Sequence, residues 1–359
     1  MITHKKPAMV IHPGELLKDE LDARAWTQKG FARIIGRPEK TISAIIQGKK
    51  DITPETAIEI AAALGTSPDV WNTMQAKYNL HVAAQKSKVR EPIERRARLY
   101  SVAPIDELIA RGYVTAGKTI DEMELSLCGF LGLQTISDTC RCTAAFRIAR
   151  HTAAIDNPPV IAWLKIIEQK SRNIECPVFS ESALKRILPD IVANSKSKEG
   201  CREVVQKLRE AGVRLVFEPH FSGTRIDGAV IYVDGAPVIG MTIRLDRIDN
   251  FWFTLMHELG HIVLKHETGY VDVDVIGNTD APDEIKANEW AADRLLSNEA
   301  YEKFVTRTKP YFARKAIVEF ARKIGVHPGI VIGRLQRDGL VPWQNLRDLL
   351  EKVSPVVTQ

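Results

Sequence analysis

The sequence has little that would tie it to a membrane or to an oxidising compartment. No segment approaches the run of about 20 apolar residues that a membrane-spanning helix needs, and the first residues contain no long apolar stretch. The five cysteines are odd in number and scattered, which argues against a disulfide framework. Cys140 and Cys142 are separated by one residue rather than the two of common zinc knuckles, so we interpret them as small buried residues. We expect a cytoplasmic protein that binds no membrane.

The sequence also lacks internal repeats, low-complexity tracts and a strong charge of one sign. Its 50 basic and 45 acidic residues leave a net charge of +5, and 45% of the residues are hydrophobic. This composition is ordinary for a globular protein with a sizeable core. Because 359 residues exceed one typical domain, we expect two or three domains.

The pattern of residues divides the chain into three regions. Residues 12–80 contain five short helical patterns joined by tight turns. Residues 81–190 begin with a polar, basic linker and continue as an irregular helical connecting region. Short β-branched runs bounded by Gly and Pro begin near residue 212, and helical patterns follow to the C-terminus. We predict a multidomain, mainly α protein whose last region, residues 191–359, is α+β with a small sheet.

Two of the N-terminal helices have the proportions of a helix-turn-helix. Thr27 is the predicted N-cap of the first helix, residues 36–38 form the turn, and Ile42 and Ile45 lie on the inward face of the second. Residues 27–50 contain six basic side chains and one acidic side chain, and such a surplus favours phosphate contact. The predicted DNA-binding residues are Gln28, Lys29, Arg37, Lys40, Thr41, Ser43, Gln47, Lys49 and Lys50. The alternative interpretation is a helical protein-binding bundle with a solvated basic face.

Residues 12–80 resemble the Cro/C1-type (XRE) repressor domains, and most closely the HigA-like antitoxins. The positions that carry this resemblance are Gln28, Gly36, Thr41-Ile42-Ser43 and Gly48-Lys49. The resemblance implies a lambda-repressor-like fold that binds double-stranded operator DNA, and a homodimer, since such domains bind paired half-sites. Arg37-Pro38 stands where many members have small residues, so no base preference is implied.

A second motif lies in the apolar stretch TLMHELGHIVLKH, residues 254–266. His257 and His261 are four residues apart, so both rings project from one face of a helix and can bind one ion. Two neutral imidazoles suit Zn²⁺, which at a catalytic site takes a third protein ligand and leaves one position for water. Glu258 can act as general base towards that water, and the metal polarises the scissile carbonyl. A helix with two hydrogen-bonded histidines is the alternative.

The third ligand must come from elsewhere in the chain. His266 follows His261 by five residues, about 140° round a helix, and is expected to point away. The acidic residues downstream are Asp272, Asp274, Asp280, Asp283, Glu284, Glu289 and Asp293. Glu284 is favoured because, on a helix beginning after Pro282, it shares a face with small residues that allow close approach to the zinc helix. Asp280 and Asp283 are expected to be loop and capping residues.

The sequence from about residue 212 to the C-terminus resembles the ImmA/IrrE metallopeptidases. The motif HELGH, the later Ala287-Asn288 and Leu295-Leu296 pairs, and the tail IGVHPGIVIGRLQRDGLVP carry this resemblance. It implies a zincin-like domain of the HExxH type that holds Zn²⁺ through His257, His261 and Glu284, with Glu258 catalytic. Ser297 and Asn298 stand where the family often has Met-Pro, so its substrate specificity is not implied.

These observations support three hypotheses about function. The first is a DNA-binding transcriptional regulator with a zinc-dependent endopeptidase domain, acting in a repressor, prophage, stress or toxin–antitoxin circuit. Its partners would be operator DNA and a protein substrate such as a repressor. The second is a non-proteolytic antitoxin or transcription factor whose peptidase-like domain senses a ligand or binds a cognate toxin. The third is a peptidase in which the helix-turn-helix only docks proteins.

Overall fold

The structure, a computed structural model, describes residues 10–86, 90–136, 157–266, 271–273 and 282–357. The chain divides into two compact units, residues 1–94 and 95–359. The predicted boundaries after residues 80 and 190 stay predictions. Cys140, Cys142, Asp274 and Asp280 lie outside the described residues. Within the described ranges, no helix is both long and apolar enough to cross a membrane.

The N-terminal unit is helical. Its helices are α1 (Pro13–Ala23), α2 (Gln28–Ile34), α3 (Glu39–Ile46), α4 (Pro54–Leu64) and α5 (Pro68–Lys86). The Thr27 hydroxyl accepts a hydrogen bond from the Gly30 amide at 3.0 Å and caps α2, as predicted. Thr53 caps α4 in the same way, and Gly65 ends α4 with φ at +68°. Leu17, Phe31, Ile42, Ile45 and Ile60 are fully buried and form the centre of this unit's core.

Twelve further helices belong to the rest of the described chain. They are α6 (Arg90–Val102), α7 (Ile105–Ala110), α8 (Ile120–Leu131), α9 (Pro158–Arg172), α10 (Glu181–Asn194), α11 (Gly200–Glu210), α12 (Ile248–Val263), α13 (Pro282–Leu295), α14 (Asn298–Thr308), α15 (Arg314–Ile324), α16 (Pro328–Arg337) and α17 (Ser354–Val357). A 3₁₀ turn covers Arg347–Leu349.

One four-stranded sheet lies in the C-terminal unit. Its strands are β1 (Arg214–Phe217), β2 (Ile226–Val233), β3 (Ala236–Met241) and β4 (Val271–Val273), in the order β1-β3-β2-β4. β3 pairs with β1 in parallel and with β2 antiparallel, and β2 pairs antiparallel with β4. Asp234 and Gly235, both with positive φ, make the tight turn between β2 and β3.

Helices cover both faces of this sheet. Successive residues of β3 point to opposite faces, so Val238 joins a core with α6 to α9, whereas Ile239 joins a second core with α10 to α16. α9 lies close against the sheet because Gly240 has no side chain. A Cβ there would stand 2.6 Å from the Trp163 ring. The sheet therefore holds α12, which carries the HExxH motif, on the face opposite α9.

The predicted fold class is confirmed: a five-helix N-terminal unit precedes a mainly helical region with a small sheet. The β-branched runs that begin near residue 212 correspond to β1, β2 and β3. β4 was not predicted, because three residues give too short an alternation to recognise.

Candidate metal centre and nucleic-acid interface

α12 places two histidines on one buried face. The helix is apolar over most of its length, and it packs against both the sheet and α13. His257 and His261 are each 2% exposed. Their Nε2 atoms lie 2.9 Å apart. The i, i+4 spacing thus converges two imidazole nitrogens at one point, as the sequence predicted.

α13 brings a carboxylate to the same point. Glu284 lies in its first turn, and its Oε2 is 3.1 Å from the His257 Nε2 while its Oε1 is 3.6 Å from the His261 Nε2. The two helices approach closely because small residues face each other. A Cβ on Gly260 would be 3.4 Å from the Ala287 Cα. We call His257, His261 and Glu284 the ligand cluster, since one ligand atom from each lies within 4.8 Å of the others.

The ligand cluster has the chemistry and spacing of a zinc site. Two imidazoles and one carboxylate are a donor set of catalytic zinc sites. Donors held ~2.1 Å from one tetrahedral zinc ion are about 3.4 Å apart, so the observed separations of 2.9, 3.1 and 3.6 Å fit. Of the other predicted candidates, Glu289 and Asp293 are exposed on α13 and lie outside the cluster.

The charge states in the cluster follow from its burial. Burial raises the pKa of the Glu284 carboxyl, but hydrogen bonds and charge from His257 and His261 outweigh it and lower the pKa to about 2. Burial also lowers the pKa of His261. An ionised carboxylate and a neutral imidazole are the forms that bind a metal ion.

Glu258 directly follows His257 in α12 and is fully buried. Its carboxylate is packed against β2 at Gly228. A Cβ added to Gly228 would be 2.5 Å from the Glu258 Oε1 and 2.8 Å from the Thr254 Cγ2. The absence of a side chain at position 228 therefore makes the space in which the Glu258 carboxylate lies. Sequence reasoning missed Gly228, since nothing local pairs a strand glycine with a glutamate on a later helix.

His266 is not part of the ligand cluster, as expected, but the helical argument for this was wrong. α12 ends at Val263, and Lys265 adopts φ +57°, so the chain turns back instead of continuing as a helix. The His266 Nδ1 consequently lies 2.9 Å from the His261 Nδ1, the ring nitrogen that faces away from the cluster. The His266 Nε2 is 3.7 Å from the Asp283 Oδ1. A ligand histidine whose second nitrogen is hydrogen-bonded has a fixed ring orientation and tautomer.

The predicted DNA-binding residues surround the α2–α3 turn. Ile42 and Ile45 are fully buried, so the opposite face of α3 is turned to solvent. The exposed members of the set are Lys29, Lys40, Gln47, Lys49 and Lys50, and the half-buried members are Gln28, Arg37, Thr41 and Ser43. Gln47 donates a hydrogen bond to Ser43 at 3.1 Å, so these two side chains lie together one turn apart.

Arg37 is held by a neighbour within the unit. Its Nε and Nη2 donate to the two carboxylate oxygens of Glu59, at 2.8 and 2.9 Å. This bidentate pair joins the turn after α2 to α4 and fixes the guanidinium. The remaining four basic side chains of the predicted set, Lys29, Lys40, Lys49 and Lys50, are exposed.

Two family models match the chain in the two parts described above. Residues 17–71 match a family described as "Helix-turn-helix". Residues 209–336 match one described as "IrrE N-terminal-like domain", and they include β1, β2, β3, α12 and α13. The two resemblances drawn from the sequence are therefore confirmed.

Individual relatives cover about a fifth of the chain. An Escherichia coli protein called "Uncharacterized HTH-type transcriptional regulator YddM" is 32% identical over 68 residues, 19% of this chain and 72% of that protein. "Antitoxin HigA-1" of Vibrio cholerae is 37% identical over 79 residues, 22% of this chain and 71% of that protein. A solved structure described as "Pseudomonas aeruginosa antitoxin HigA with higBA promoter" is 30% identical, covers 21% of this chain and 83% of that chain, and has a TM-score of 0.21.

Proposed function

The chain belongs to the helix-turn-helix family and carries an IrrE N-terminal-like domain, and on this basis we propose that it is a DNA-binding regulator with a zinc-dependent endopeptidase in the same chain. The observation that carries the enzymatic part is the convergence of His257, His261 and Glu284 within 4.8 Å, together with the full burial of Glu258, which follows His257 in α12. A helix with two independently hydrogen-bonded histidines would not need a carboxylate from a second helix at the same point.

Each residue of the site has a distinct task in the proposed hydrolysis. His257, His261 and Glu284 would hold Zn²⁺, which would polarise the scissile carbonyl and acidify water. The Glu258 carboxylate removes a proton from the attacking water as the oxygen of that water bonds to the carbonyl carbon. Glu258 then gives that proton to the leaving nitrogen as the peptide bond breaks. Its burial excludes bulk water from this exchange.

The helix-turn-helix is proposed to bind double-stranded operator DNA. Lys29, Lys40, Lys49 and Lys50 supply exposed positive charge for phosphates. Thr41, Ser43 and Gln47 on α3 offer short polar groups for base edges. A homodimer would let two such units bind paired half-sites. Gln28 and Arg37 complete the proposed set of DNA-binding residues. Arg37 would act while it is paired with Glu59.

Cleavage of a partner protein tests the enzymatic proposal. The zinc-loaded full chain should cut a repressor encoded beside it, and mass spectrometry would identify the broken bond. Glu258→Gln should abolish cutting while the metal stays bound. Glu289→Gln, which changes an exposed acid of α13 outside the ligand cluster, should leave cutting unchanged. Equal cutting by wild type and Glu258→Gln would contradict the proposal.

The similarity to "Antitoxin HigA-1" favours a second candidate function. In this alternative the chain is a non-proteolytic antitoxin and transcription factor, and the IrrE N-terminal-like domain senses a ligand or binds a cognate toxin. Copurification with a toxin encoded next to it, without cleavage of any partner by the zinc-loaded chain, would favour this alternative over the first.

A further inference from the structure

A cavity of about 470 Å³ opens beside the ligand cluster. α12 contributes Phe253 and His257 to its wall, and Leu295, Ile330 and Trp343 come from later parts of the chain. The volume lies within the range of small-ligand sites. Because His257 belongs both to the cavity wall and to the ligand cluster, a molecule in this cavity would lie directly beside the reacting peptide bond.

Most charged groups around the cavity are neutralised within the protein. The Arg244 guanidinium pairs with Asp227 at 3.0 Å, and the Arg247 guanidinium pairs with Asp249 at 2.5 Å. Arg334 pairs with Asp338 at 3.2 Å. These pairs remove most of the charge that the cavity would otherwise present to a ligand, which leaves walls that are largely uncharged and mostly apolar.

Arg337 differs from these arginines. It lines the cavity, is exposed, and has no ion pair within the described ranges of the chain. Its guanidinium carbon lies 4.7 Å above the Phe253 ring, and that ring stacks on the His257 ring at 6.4 Å. The cation–π contact orients the guanidinium without neutralising it. One positive charge without an ion-pair partner among the described residues is thus held over the Phe253 ring, which separates it from the ligand histidine His257.

From this arrangement we propose a substrate class for the peptidase: segments in which an apolar side chain fills the cavity and a carboxylate two or three residues from the cleaved bond pairs with Arg337. This inference rests on the proposed endopeptidase function. The distance from His257 to Arg337 limits how far the carboxylate can be from the cleaved bond. The step of 6.4 Å from His257 to Phe253 and the step of 4.7 Å from Phe253 to Arg337 together span at most about three residues of extended peptide at ~3.4 Å each. The carboxylate is that of an Asp or Glu side chain or of a free C-terminus.

Peptide binding tests the inference separately from catalysis. The zinc-loaded full chain with Glu258→Gln is titrated with three fluorescent pentapeptides that each contain two leucines. One is amidated and carries Glu, the second is amidated and carries Gln, and the third carries Gln with a free C-terminal carboxylate. Fluorescence polarisation gives each Kd. An exposed ion pair predicts about fivefold tighter binding of a carboxylate peptide than of the neutral one.

The position of the favoured carboxylate identifies its source. Tighter binding of the Glu peptide assigns it to a side chain, and tighter binding of the free-acid peptide assigns it to a C-terminus. Adding Arg337→Glu should abolish the preference or reverse it towards a Lys peptide. Arg322→Glu, an exposed charge reversal on α15 away from the cavity, should preserve it.

Three results would overturn the inference. The first is equal binding of all three peptides, and the second is no binding of any of them. The third is a carboxylate preference that survives Arg337→Glu. Each of these results would leave repressor cleavage by the wild type standing, whereas loss of that cleavage with an intact peptide preference would contradict the proposed function instead.

Discussion

Replacing Gly228 by Ala should separate catalysis from metal binding. The glycine lies on β2 opposite α12, and its φ is not positive, so alanine introduces no backbone strain. The added methyl would stand 2.5 Å from the Glu258 Oε1, whereas ordinary contact begins at 3.4 Å. The three atoms nearest to the methyl belong to Glu258 and Thr254, and none of them belongs to the ligand cluster. The substitution therefore acts on the proposed general base and not on the ligands.

The size of the effect follows from this overlap. The Glu258 carboxylate must retreat by about 0.9 Å to restore contact distance, because it is fully buried and β2 is held by pairing on both edges. A misplacement of about 1 Å at a reacting group lowers the rate roughly 100-fold. Overpacking of this kind also destabilises the fold by about 1–3 kcal/mol. We expect kcat/KM for the cleaved partner to fall about 100-fold while one zinc ion stays bound.

The assay compares cleavage rate, zinc content and thermal unfolding of the same preparations. Gly129→Ala is the matched control, since Gly129 lies inside α8 and a Cβ there meets no atom within 4 Å. That change should leave kcat/KM and zinc content unaltered and stabilise α8 by up to about 1 kcal/mol. Cleavage by Gly228→Ala at the wild-type rate would refute the placement of Glu258 as general base. Loss of zinc from Gly228→Ala would show that the overlap is relieved by moving the ligands.

Predictions for three other places in the chain rest on equally local contacts. His266→Ala should weaken zinc affinity about 10- to 100-fold by chelator competition, because it removes the 2.9 Å contact to the His261 Nδ1, and His266→Gln should recover part of it. Changing both Lys49 and Lys50 to Ala should weaken binding to all DNA sequences and flatten the salt dependence by up to about two units of slope. Thr27→Ala should remove the cap of α2 and speed hydrogen exchange of its first amides about fivefold, the equivalent of about 1 kcal/mol.

A specific result would contradict each of these predictions. Unchanged zinc affinity in His266→Ala would mean that its contact with His261 does not orient the ring; Leu264→Ala, at a neighbouring exposed position, is the control. No DNA binding by the wild type at low salt would remove the basis for the lysine prediction. Thr53→Ala should speed exchange in α4 and not in α2, so an identical pattern in both variants would argue against local capping.

Local features of the fold were predictable because neighbouring residues determine them. Thr27 and Thr53 begin helices through their own hydroxyls, and Gly65 ends one through its positive φ. The convergence of His257 and His261 follows from four-residue spacing alone. These interactions lie within one or two helical turns, so periodicity and capping rules are sufficient to find them.

The features that escaped prediction depend on distant parts of the chain. Gly228 faces Glu258 because of the way α12 packs on the sheet, and no motif links the two. His266 reaches His261 only because the helix ends early and Lys265 takes a positive φ. The cavity that includes Arg337 is assembled from α12, α13 and α16, whose positions are set by the shared core. Sequence patterns do not encode such approaches between elements.

Zinc analysis of purified full-length variants tests the central claim most directly. The wild type and Glu258→Gln should each bind about one equivalent of zinc, while His257→Ala, His261→Ala and Glu284→Ala should bind far less. Asp283→Ala should stay near one equivalent when zinc is saturating, since Asp283 is not a member of the ligand cluster and its Oδ1 lies 3.7 Å from the His266 Nε2. A wild type that holds under about a tenth of an equivalent after incubation with zinc would contradict the account. Zinc lost from Asp283→Ala but kept by Glu284→Ala would contradict the ligand assignment.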